Sequence, residues 1–198
     1  MPLGAFKAAL MGTAGVSTGD VVLLASTTVS SATGSVEFKG NFTSTYLEYI
    51  FAFYNMHPGT NNVSWAFNGS IDNGSNYNVT KTGSFFAAQV DESHNNAALQ
   101  YQTGDDSQQA TGYQNLTDGV GSDNDQSCSG VLHLFNPAST TYVKHWASRM
   151  TEYHASDYAI QVHTAGYFND ADDNIDAVDF KFESGNIDSG VIKLWGVK

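Results

Sequence analysis

Residues 176–198, DAVDFKFESGNIDSGVIKLWGVK, decide the fold. Val178, Phe180 and Phe182 alternate with Asp179, Lys181 and Glu183. That period of two is the pattern of a strand with one buried face. Residues 184–190, SGNIDSG, are rich in the residue types that turns demand. Ile192 and Leu194 then alternate with Val191, Lys193 and Trp195. The pattern predicts a closing hairpin that seals a sandwich core.

Working outward, the strands come in series. Segments 21–29, 35–39, 46–54, 63–68, 77–80, 84–89, 113–120, 128–135, 142–153 and 158–168 read as strands, and Asp72-Asn73-Gly74-Ser75 as a turn. In YLEYIFAFY (46–54), Leu47, Tyr49, Phe51 and Phe53 oppose Tyr46, Glu48, Ile50, Ala52 and Tyr54. Both faces are apolar, as in a central strand. Short strands separated by Gly/Asn turns predict an all-β protein, an antiparallel, jelly-roll-like β-sandwich. The expected organisation is an N-terminal arm at 1–20 and a sandwich domain at 21–198. A polar excursion at about 91–127 is expected to face outward, anchored by Leu99, Tyr101, Tyr113, Leu116 and Val120.

The closing stretch also carries a resemblance. Ser184, Gly185, Asn186, Ile187, Gly190, Leu194, Trp195 and Gly196 resemble the C-terminal signature of small phage virion structural proteins of the tail-fibre-like, appendage type. Trp195 departs from the Tyr usual there. Phe67-Asn68-Gly69 and residues 73–77, NGSNY, are similar to a second segment of that family. The likeness runs from Val29 to Lys198 with a divergent middle. It implies a non-enzymatic tail-fibre or appendage component on the virion exterior, acting in assembly and host-surface recognition. Capsid decoration or head-fibre duty is the first alternative, and a carbohydrate-binding module or glycan depolymerase the second. The implied partners are other virion proteins, further copies of the chain (trimers favoured) and host-surface glycan.

Composition narrows the classes. Of 198 residues, 41% are hydrophobic, enough for a real core, and only 14% are charged. The formal net charge is −12 with eight Lys and Arg. Nucleic-acid binding depends on a basic patch that releases phosphate counterions, and no basic cluster exists here. The same charge disfavours anionic lipid, and no apolar run is long enough to span a membrane. The single Cys128 cannot form an internal disulfide and reads as a small buried hydrophobe.

The first twenty residues are read as an arm rather than a signal peptide, because Lys7 lies inside the apolar part and glycines break it. Leu3, Phe6, Leu10 and Met11 fall on one helical face and are the expected docking residues for another virion protein. Gly15-Val16-Ser17-Thr18-Gly19 matches G-x-S-x-G, but a strand follows where that motif needs a helix. No cofactor is expected.

Other candidates are weaker patterns. Asp170, Asp172 and Asp176 place oxygen donors at alternating positions, which suits calcium, without EF-hand spacing. His133, His145 and His163 lie in expected strands and can meet across a sheet. Glu37, Glu48, Asp91, Glu92 and Glu152 are the carboxylates from which a glycoside-cleaving pair would be drawn. Tyr101 and Tyr113 are the candidates for stacking on a sugar ring, whereas Trp65 and Trp146 read as core.

Overall fold

The computed structural model describes residues 20–198. The arm residues Leu3, Phe6, Leu10 and Met11 and the G-x-S-x-G stretch lie outside that range.

The described chain forms thirteen strands in two antiparallel sheets. The large sheet contains β1 (Val21–Val29), β3 (Glu48–Pro58), β5 (Lys81–Asp91), β6 (Ala97–Tyr101), β7 (Ser107–Ala110), β9 (Cys128–Phe135), β10 (Lys144–His154), β11 (Tyr158–Phe168) and β13 (Ile187–Val197). The small sheet contains β2 (Val36–Lys39), β4 (Trp65–Ser70), β8 (Gln114–Asn115) and β12 (Ala177–Phe182). The large sheet runs β1-β13-β3-β9-β10-β11-β5-β6, with β7 also on β5, and the small one β2-β12-β4-β8.

The connectivity is a jelly roll with additions. Take β1, β2, β3, β4, β8, β9, β12 and β13 as eight core strands. The first pairs with the last, the last with the third and the third with the sixth in one layer. The second pairs with the seventh, the seventh with the fourth and the fourth with the fifth in the other. That interleaving is the double Greek key of a jelly roll. The added strands β10, β11, β5, β6 and β7 widen only the large sheet.

The closing stretch is not a hairpin. β12 lies in the small sheet and β13 in the large one, so residues 183–186 carry the chain across the sandwich. The two strands still close the core, facing each other instead of pairing: Val178, Phe180 and Phe182 oppose Ile192 and Leu194, and all five are buried. Phe180 is the hub, with ring contacts to Phe38, Phe51, Phe53, Trp65 and Phe67 at centroid distances of 4.8–6.2 Å. Trp65 and Trp146 are core residues, as read from sequence.

Other boundaries shift for local reasons. Residues 77–80 are not strand; the regular strand starts at Lys81. Residues 113–120 hold only the two-residue β8. The rest of that segment bonds to the chain at the start of β4 without regular pairing, Leu116 N–H donating to Trp65 O and Val120 N–H to Val63 O. The turn at 72–75 forms as expected: Asn73 and Gly74 both have positive φ, and the Asp72 carboxylate accepts from Asn76 N–H at 2.9 Å.

The polar excursion is more ordered than its composition suggests. It supplies β6, β7 and β8, and its anchors Leu116 and Val120 are fully buried. Leu99 and Tyr101 anchor nothing; they are 75% and 54% exposed on β6, the last strand of the large sheet.

Candidate recognition surface

The outer face of the large sheet is where side chains with recognition chemistry gather. Register fixes which residues lie side by side there. Val131 pairs with Arg149, Arg149 with His163, His163 with Phe86 and Phe86 with Tyr101, one row across five strands. Cross-strand partners share a face and sit about 5 Å apart. His163 lies flat on Phe86, with centroids 5.2 Å apart and planes 6° from parallel. The Gln161 carboxamide, oriented so that its donors and acceptors are satisfied, accepts from Arg149 Nε at 2.9 Å and His163 Nε2 at 2.9 Å.

Arg149 is the only arginine of the chain. In a molecule of net charge −12 it stands exposed on this face, beside a half-exposed ring stack. Tyr101, at the sheet's edge, has its hydroxyl fixed by Asp106 at 2.7 Å. Flat rings beside a guanidinium fork suit a saccharide: the ring takes the C–H face of the sugar, and the fork takes a carboxylate or paired hydroxyls.

A groove adjoins this row. Two cavities of about 380 and 340 Å³ share Val90, Glu152 and Ala159. The first also reaches Asp91, Glu92 and Tyr153. Tyr153 Oη donates to Glu92 at 3.0 Å. Glu152 is buried, and burial raises its pKa to about 8 against the opposing pull of the Gly119 and Asp118 backbone N–H groups. Both of its oxygens accept from Asp118 N–H at 3.1 Å, and Oε1 also from Gly119 N–H at 3.3 Å. Glu152 thereby straps the 117–120 segment to β10.

The other carboxylates considered for glycoside cleavage are also engaged. Glu37 pairs with Lys39 at 2.8 Å and Glu48 with His133 at 2.5 Å. Asp91 Oδ1 accepts the backbone N–H groups of Asn95 and Asn96, which holds its pKa below the usual carboxylate value. The geometry therefore offers binding groups in the groove and structural partners for the acids.

The two candidate tyrosines do not come together. Tyr113 lies over the small sheet, its hydroxyl donating to Asp179 at 2.8 Å and its ring covered by Lys181 Nζ at 4.3 Å. It is a packing residue, and only Tyr101 is placed for stacking. His133, His145 and His163 lie on one face but in successive rows, with partners Glu48, Tyr167 and Phe86.

The acidic turn is organised by a lysine. Lys144 Nζ donates to the backbone carbonyls of Asp170 and Asp173. Asp170 Oδ1 accepts from Asp173 N–H at 3.1 Å, and Asp176 Oδ2 from Asn73 N–H at 2.9 Å. Asp170, Asp172 and Asp176 are thus not gathered around a common centre. Among the described residues no group of three His, Cys, Asp or Glu side chains is arranged to hold a metal ion. Cys128 is 1% exposed and burial lifts its thiol pKa, in keeping with a small core residue.

Phe86, Arg149 and Gln161 escaped the sequence reading, and His163 was named there only as one of three strand histidines. The lone arginine was visible in composition, but only the register of β10, β11 and β5 sets it beside a ring stack. Comparison with protein-family models, with curated proteins and with solved structures found no match.

Proposed function

We propose that the protein is a non-enzymatic structural component of a phage virion, exposed on the particle and engaging host-surface glycan through the outer face of its large sheet. The observation that carries the recognition part is the Phe86–His163 stack beside the chain's only arginine. Jelly rolls are common in viral shell and lectin domains, which supports both the particle and the glycan reading by analogy of fold. The resemblance of the closing stretch supports a tail-fibre or appendage place. The arm at 1–20 is assigned to docking on another virion protein, with oligomers adding avidity.

The test is binding of the full chain to isolated host polysaccharide. Arg149→Lys keeps the charge but removes the fork, and should weaken binding severalfold. Equal binding by the parent and Arg149→Lys would remove the assigned surface. No binding by the parent would remove glycan as the ligand.

A further inference from the structure

We propose that Lys81 and Asn68 become covalently joined, Lys81 Nζ replacing the carboxamide nitrogen of Asn68 to form an amide between the two side chains. This does not depend on the function proposed above.

Both residues are fully buried. Lys81 Nζ donates to Asn68 Oδ1 at 2.9 Å and to Val79 O at 3.3 Å, with the Phe168 ring 5.9 Å away. Among the described residues no carboxylate forms an ion pair with Lys81. A buried ammonium without a counter-ion is costly, and desolvation brings the Lys81 pKa down to about 7. A large share of the side chain is therefore the neutral amine, which is the nucleophilic form.

Asn68 is held as the acceptor of that attack. Its Nδ2 donates to the carbonyls of Tyr77 at 2.6 Å, Thr111 at 2.9 Å and Gly112 at 3.3 Å. Those contacts fix which end of the carboxamide is oxygen. Oδ1 accepts from Gly69 N–H at 2.9 Å as well as from Lys81, so the carbonyl is polarised and charge developing on its oxygen meets a donor already in place.

A buried carboxyl group shares the face of the small sheet that carries Asn68. Asp179 is the cross-strand partner of Asn68, on the same face of the small sheet. It is 2% exposed, and burial raises its pKa while the Tyr113 and Ser35 hydroxyls pull the other way. Its Oδ2 takes the Tyr113 hydroxyl, and its buried Oδ1 has no hydrogen-bond partner.

The step balances without a cofactor. The Nζ–Cγ bond forms and the Cγ–Nδ2 bond breaks. One Nζ hydrogen passes to Nδ2, which leaves as ammonia, and the new amide keeps one N–H. Nothing is oxidised or reduced. The product ties β4 of the small sheet to β5 of the large one, a covalent link between the two layers.

Intact-mass measurement of the folded full chain tests this. The expected mass is the sequence mass less one ammonia, and a protease digest should contain a branched peptide joining residues 68 and 81. Lys81→Met should restore the full mass. Asn68 precedes Gly69, so a cyclic imide within the backbone would also lose ammonia. That product is unbranched and survives Lys81→Met, and finding it would overturn the proposal. So would a parent protein at full sequence mass, a result that needs no variant to fold.

Discussion

The Trp146 indole covers a pair of glycines: Gly166, its partner on β11, and Gly83, the partner of Gly166 on β5. A Cβ on Gly166 would stand 2.6 Å from Trp146 Cζ2 and 2.3 Å from the backbone oxygen of Thr82. A Cβ on Gly83 would stand 2.6 Å from the same indole carbon. The added strands are thus fitted to the core by the absence of two side chains.

Gly166→Ala must therefore displace backbone, not only a flexible tip. Overpacking of this kind costs about 1–3 kcal/mol. Urea unfolding should show a lower midpoint with an unchanged slope. An unchanged midpoint would mean that β11 and β5 sit further from Trp146.

Phe86→Ala removes the exposed half of the His163 stack. Phe86 supplies the ring face assigned to the sugar, and losing a ring contact of about 1 kcal/mol should lower glycan affinity roughly fivefold. Phe86 is 40% exposed, and unfolding stability should change by less than about 1 kcal/mol. Calorimetric titration beside a urea melt separates the two. A large stability loss with unaltered affinity would make the stack a structural feature.

Glu152 gives the fold a pH dependence with a definite sign. Burial holds its folded pKa at about 8, above the ordinary glutamate value of 4.5. The folded state therefore holds a proton that the unfolded chain releases. Its contribution is fully present below about pH 4.5, declines as pH rises and is lost by about pH 8. Glu152→Gln, which keeps an oxygen for the Asp118 and Gly119 N–H groups, should flatten that decline relative to the parent. Parallel pH profiles for the two proteins would contradict the burial of this carboxyl.

Much of the fold was legible because the core alternates. Val178, Phe180 and Phe182, and Tyr49, Phe51 and Phe53, announce buried faces in sequence and are buried in fact. What alternation does not carry is pairing. Strand period is local, whereas the assignment of β12 and β13 to opposite sheets is set by contacts far apart in sequence. β6 was hidden because Ala97, Ala98, Leu99, Gln100 and Tyr101 are all exposed and show no alternation of burial. The site was less legible still. Arg149, Gln161, His163 and Phe86 come from three strands, and no short motif contains them.

Lys144→Met leaves the carbonyls of Asp170 and Asp173 without their cationic donor. Hydrogen bonds to charged groups contribute about 1.5–3 kcal/mol. Amide exchange at 170–175 should quicken markedly, while the β3 and β13 amides keep their protection. Added calcium should leave the parent's melting temperature unchanged, because the lysine already occupies the centre of the turn. Stabilisation by calcium would reinstate the acidic turn as a cation site.

The most direct measurement is antibody labelling of purified virions that encode the chain, read by electron microscopy. Label on the tail or its fibres is the expected result. Unlabelled particles, with the protein recovered only free in the lysate, would contradict virion placement, and label confined to the head shell would contradict the tail assignment.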